Sequence, residues 1–198
     1  MVKPNGFEPK RWILVVSAIG TAAGVLTVGL GAAAANGRGG HDLAVGSARA
    51  PFPTAAGPGF VRLSVSAHSD SSGLHPRGHV RAHGTLGSPM GEFKVAGPVT
   101  CLRVEGNKAA IKYRFNQASG SAAAFKGGGV EIFVEVNGPP RHGHPVDEVA
   151  DQPPQTAAVF DATATQCDDP TTANYEKVTS GNYTVRDRDP GTAVGGRP

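Results

Sequence analysis

The chain has 198 residues, 39% hydrophobic but only 6% aromatic, with 19 Lys and Arg against 16 Asp and Glu. That length is enough for one domain with its own core. Setting aside residues 1–35, which hold Lys3, Lys10, Arg11 and Glu8, lowers the formal net charge from +3 to +1, so the basic excess expected of a nucleic-acid binder is missing.

The N-terminus reads as an export signal. Basic residues Lys3, Lys10 and Arg11 precede an uncharged apolar run from Trp12 to Ala35. The run ends in Ala33-Ala34-Ala35, which suits signal peptidase, with cleavage between Ala35 and Asn36. The alternative is an uncleaved anchor, since about 20 apolar residues span a bilayer. Residues 12–35 are then the only membrane contact. The expected location is secreted or extracytoplasmic. Residues 36–58 are rich in Gly, Ala and Pro with no sustained period and read as a linker. The tail 188–198 reads as disordered.

Residues 59–187 carry a period of two. In "FVRLSVSAH" the apolar Val61, Leu63, Val65 and Ala67 alternate with polar residues. "KAAIKYRF" and "VEIFVEV" repeat the pattern, the latter with Val130, Ile132, Val134 and Val136 on one face. In this second strand Phe133 shares the opposite face with Glu131 and Glu135, which points to a covered second face. Further strands are expected at His79–Leu86, Glu92–Val95, Val99–Glu105, Ala157–Cys167 and Tyr183–Arg186. No segment has the pattern of an amphipathic helix. Gly106-Asn107 between two alternating runs marks a tight hairpin. The expected fold is all-β: a single antiparallel sandwich or barrel of about eight short strands.

Two cysteines, Cys101 and Cys167, lie beyond the leader. An even count in an oxidising compartment reads as one disulfide. Histidine is concentrated in "HPRGHVRAHG", residues 75–84. As a helix this stretch would align three histidines for a metal, but Pro76, Gly78 and Gly84 oppose one. As a strand it places His79 and His83 roughly 13 Å apart, too far to share an ion, so both belong to an outward polar stripe. In "RHGHP", the i, i+2 spacing of His142 and His144 would let both reach one metal, with Asp147 or Glu148 as a third ligand. The sequence has no catalytic spacing such as G-x-S-x-G or H-E-x-x-H.

The run "HPRGHV", "GPVTCLRVEGNKAAI", "VEIFVEVNGPP" and "VTSGNYTV" resembles a group of small secreted all-β proteins of actinomycetes whose function is uncharacterised. The resemblance covers roughly residues 59–187. It implies the β fold but no reaction and no catalytic residues. The expectation is an exported non-catalytic β domain without cofactor: a binding or cell-envelope-associated module for an extracellular ligand, with no nucleic-acid partner. The ligand could be a glycan, a protein or a small apolar molecule: a cavity inside a closed barrel would favour the last, and an exposed aromatic platform a glycan. The alternatives are a metal-binding surface protein and a secreted hydrolase that joins His79 or His83 to Glu131 or Glu135.

Overall fold

The computed structural model describes residues 41–54, 57–70, 74–87, 89, 91–138 and 146–187. The expected leader with its Ala35–Asn36 cleavage point, both loop histidines His142 and His144, and the tail from 188 lie outside these residues.

Antiparallel β-structure dominates, as the alternation implies. Strands β1 (His41–Thr54), β2 (Gly57–Asp70), β3 (Arg77–Thr85), β4 (Glu92–Glu105) and β5 (Lys108–Arg114) follow one another as neighbours. Then come β6 (Gln117–Gly120), β7 (Gly129–Glu135), β8 (Glu148–Asp151), β9 (Glu176–Lys177) and β10 (Ser180–Arg186). The sheet order is β10-β1-β2-β3-β4-β5-β7-β8-β9, with β6 on the first part of β4. This is one continuous sheet curled into a half-barrel around a single core, not two packed sheets. The sandwich expectation is therefore corrected. The reason lies in β4, whose 14 residues pair with β3 and β6 at one end and with β5 at the other. A strand that long carries its right-handed twist across both halves and leaves no break at which two sheets could separate.

Three further expectations give way. The linker assigned to 36–58 is a strand from His41 onward, paired with β2 at every position from His41↔Asp70 to Thr54↔Gly57. Its inward residues Ala44, Ala48 and Ala50 are small and buried, so a tightly packed strand looked like spacer. Pro51 and Pro53 are tolerated because pairing with β10 stops at Arg49↔Ser180, leaving that stretch an edge. Second, 92–95 and 99–105 are one strand. Gly97 lets it run past the backbone, since a Cβ there would lie 1.7 Å from the Arg114 carbonyl. Third, Ala157–Cys167 is not a strand. It opens with a short helix, α1 (Ala157–Asp161), followed by turns. Phe160 and Ala164 are buried at i, i+4 while Val159 is 56% exposed, which is helical spacing. The nearest sheet edge, that of β7, is already taken by β8.

The inner face of every long strand feeds one cluster, including Leu63 and Val65 of β2, Val80 of β3, Leu102 of β4, Ile111 of β5 and Val134 of β7. The β4–β5 register slips between Val99 and Cys101. This bulge reverses which side chains point inward. Leu102 and Val104 then join the core, and Cys101 turns outward to bond Cys167, their Cα atoms 5.7 Å apart. The disulfide fastens segment 157–172 over the outer face of β5 and β7. Under that cover Phe133 is 4% exposed, so the second face of "VEIFVEV" is indeed covered. Gly129 makes room there, because a Cβ would meet the Phe160 ring at 2.4 Å.

Candidate ligand-binding cavity

The histidine stripe behaves as a strand face. His75 lies in the β2–β3 turn with φ of 53° and bonds Asp70 at 3.0 Å. His79 and His83 are exposed on β3, opposite Ser66 and Arg62 of β2 and Pro98 and Lys94 of β4. Neither meets a carboxylate from β7. In sheet order β7 is three strands from β3, roughly 14 Å away, and its acids are engaged elsewhere. Glu135 pairs with Lys108 at 3.0 Å and Glu131 with Lys112 at 3.4 Å. The Lys112–Glu131 pair is sealed beneath segment 157–172. Burial pushes the Glu131 carboxyl up, opposed by the Asp168 N–H at 2.8 Å and by the Lys112 charge. The geometry the hydrolase alternative requires is thus missing from these residues.

Asp147 is no surface ligand either. It is 4% exposed, and its two carboxylate oxygens accept from backbone amides, Asn137 N–H at 3.0 Å and Tyr183 N–H at 2.7 Å. Its own carbonyl accepts from Val178 N–H at 3.0 Å. It is a structural clamp between the two ends of the sheet. Among the described residues no group of three His, Cys, Asp or Glu side chains could hold a metal ion.

The feature with functional geometry lies inside the half-barrel. A cavity of about 320 Å³ occupies one end of the core. The ends of β1, β3 and β5 and the starts of β2, β4 and β7 all meet there, because antiparallel neighbours alternate direction. Its walls are almost wholly apolar. Four of the chain's eight phenylalanines, Phe52, Phe93, Phe115 and Phe125, line it together with Tyr113. The Tyr113 and Phe115 rings contact edge-on at 5.3 Å, an arrangement that fixes both.

Beside Ser121, two ionisable groups break the apolar wall. Asp151, an exposed residue at the end of β8, has its pKa pushed up to about 6, first by loss of solvation and then by the charge of Glu176. The buried Tyr113 hydroxyl is raised further by burial and by Asp151, so it keeps its proton. The cavity therefore offers a phenol donor and a carboxyl that changes state within the physiological range. A concave apolar space with a few convergent polar groups is the usual form of a small-molecule site.

Sequence reading missed this cavity. Apart from Tyr113 and Phe115, its aromatics come from separate strand ends and loops, and only the closing of the sheet gathers them. Compared with known proteins, the chain matches no family model, no curated protein and no solved structure.

Proposed function

We propose that this domain is a binding module for a small, mainly apolar molecule held in the half-barrel cavity, acting outside the cytoplasm without catalysing a reaction. The observation that carries the reading is the aromatic-lined cavity of about 320 Å³. That is at the small end of ligand sites. Apolar side chains that line such a space lack packing partners on the side that faces it. An occupant would supply some of them. Asp151 and Tyr113 would orient a polar end of the ligand by hydrogen bonding.

The location rests on separate support. The Cys101–Cys167 disulfide is compatible with an extracellular setting. Among the described residues no helix is long and apolar enough to cross a membrane. Export through the leader, and the resemblance to small secreted actinomycete proteins, belong to the same proposal.

Titration of the purified, disulfide-bonded protein with the neutral fluorophore N-phenyl-1-naphthylamine tests it. The expected result is saturable, one-site enhancement of fluorescence. Ala82→Phe, which fills the cavity from β3, and Ala122→Leu, from the loop before β7, should each weaken binding at least tenfold while thermal unfolding stays cooperative. Binding unchanged in both folded variants would overturn the proposal.

A further inference from the structure

The outer face of the sheet carries a second, independent feature. Register places Arg49 of β1 opposite Arg62 of β2, Arg62 opposite His83 of β3, and His83 opposite Lys94 of β4. These four side chains form one row across four strands, all exposed. At the Lys94 end the row enters a cleft whose cationic lining is Arg81, Lys94 and Lys126, with His83 beside them. Its other polar lining is neutral: Asn116, Gln117 and Ser119. No acidic side chain lines it.

This arrangement departs from the charge pattern of the rest of the sheet. On β5, Lys108, Lys112 and Arg114 each meet a carboxylate, from Glu135, Glu131 and Asp161. On β4, Arg103 pairs with Glu105 and Asp169. Among the described residues Arg49, Arg62, Arg81, Lys94 and Lys126 have no carboxylate within ion-pair distance, although Glu92 is two residues from Lys94 on the same strand face. Arg49 instead lies over the Phe60 ring at 4.1 Å. Like charges directly opposite across strands destabilise a sheet. The net charge beyond residue 35 is only +1, so the row is local segregation of charge rather than a by-product of a basic protein.

The geometry points to this row as the binding site for a linear phosphate polymer lying across strands β1 to β4. From Arg49 to Lys94 is three strand spacings, roughly 14 Å, which exceeds the reach of one phosphate group and suits a chain of them. Arg forks take phosphate oxygens in pairs, and Lys adds a compact charge. The cleft amides and Ser119 can donate to the remaining oxygens.

The test uses long-chain inorganic polyphosphate as the probe, with heparin and phosphatidylglycerol vesicles as competitors for the assignment. Full-length protein should bind polyphosphate with affinity that falls steeply with salt, through release of counterions. Arg62→Ser/Lys94→Ser should lose at least tenfold in affinity and about 1.4 from the slope of log affinity against log salt, at about 0.7 per phosphate contact. The melting temperature of this variant should not fall, since like charges are removed. Lys177→Ser/Arg186→Ser removes two exposed cations outside the row and should leave binding within twofold. Three results overturn the inference: no binding of polyphosphate, equal loss in both double variants, or tighter binding of heparin or the vesicles than of polyphosphate.

Discussion

Asp147→Ala should open the seam between the two ends of the sheet. The carboxylate holds Asn137 N–H at 3.0 Å after β7 and Tyr183 N–H at 2.7 Å in β10. Truncation leaves both donors without an acceptor. The Tyr183 amide is buried and can recruit no water, while the Asn137 amide is partly accessible. An orphaned buried donor costs about 1–3 kcal/mol, and bonds to a charged acceptor lie at the upper end. The sum is about 4 kcal/mol, a large share of the 5–15 kcal/mol that stabilises a typical domain. For a domain of roughly 150 residues that corresponds to a fall of about 10 °C in melting temperature. Asp147→Asn keeps one acceptor oxygen and turns an N–H₂ toward the other amide, so it should lose about half as much.

Circular dichroism through a thermal ramp, with urea unfolding for the free energy, measures both variants. The clamp also separates this role from the metal-ligand role its place beside "RHGHP" suggests. A metal bound only by the folded state would stabilise it increasingly as its concentration rises above the dissociation constant. The expected result is that chelator and added zinc both leave the wild-type melting temperature unchanged. A loss below about 1 kcal/mol for Asp147→Ala, or a zinc-dependent melting temperature that this variant abolishes, would refute the clamp.

Other expectations follow from the covered outer face and the cavity rim. Cys101→Ser/Cys167→Ser opens a closure over 66 residues and should cost about 4 kcal/mol; urea unfolding with and without reductant would show reduced wild type matching the variant. Lys112→Met strands the fully buried Glu131 carboxylate and should cost about 3–5 kcal/mol. Adding Glu131→Gln should recover most of that loss, because Gln still accepts the Asp168 amide; a double variant no better than the single would count against a buried ion pair. Asp151 has a folded-state pKa of about 6, above the unfolded value of about 3.9. The folded state therefore holds its proton more tightly, and stability falls as pH rises from about 4 to about 6. Solvent at the rim screens the effect to about 1 kcal/mol. Asp151→Asn should flatten that window in unfolding free energy measured against pH, and profiles that stay parallel would contradict the assignment.

The strands most legible in the sequence were those with one wet face. β2 and β3 show alternation because their outward residues are polar, and Gly106-Asn107 marked its hairpin correctly, with Glu105 opposite Lys108. β7 showed its inner face in the same way, and the covered side of Phe133 followed from an aromatic between two glutamates. β1 was hidden because its inward positions from Ala44 to Ala50 are alanine and glycine, which carry almost no hydrophobic contrast. Gly46 shows the packing reason, since a Cβ there would meet the Tyr183 ring at 2.8 Å. The short strands β6, β8 and β9 exist only through partners supplied by β4, β7 and β8, and no local pattern encodes them. Asp147 looked like a ligand because its chemistry is that of a ligand. The partners it holds, two backbone amides, have no signature in sequence.

The clamp and the cavity are two parts of one seam. Segment 176–186 bridges the ends of the half-barrel by pairing with β8 through Glu176 and Lys177 and with β1 through Ser180 to Arg186. Its reach stops at Val149 on one side and Arg49 on the other. Beyond those positions Ala150, Asp151 and Pro154 continue one margin and Phe52 continues the other, and all four line the cavity. The sheet is therefore joined at the Asp147 end and unjoined at the phenylalanine end. The open stretch gives the cavity an entrance without requiring the strands to part, and it places Asp151, the one carboxyl of the lining, beside that entrance. A fully joined barrel would remove two edges but also close this route. The short β9, only two residues long, is what leaves it open.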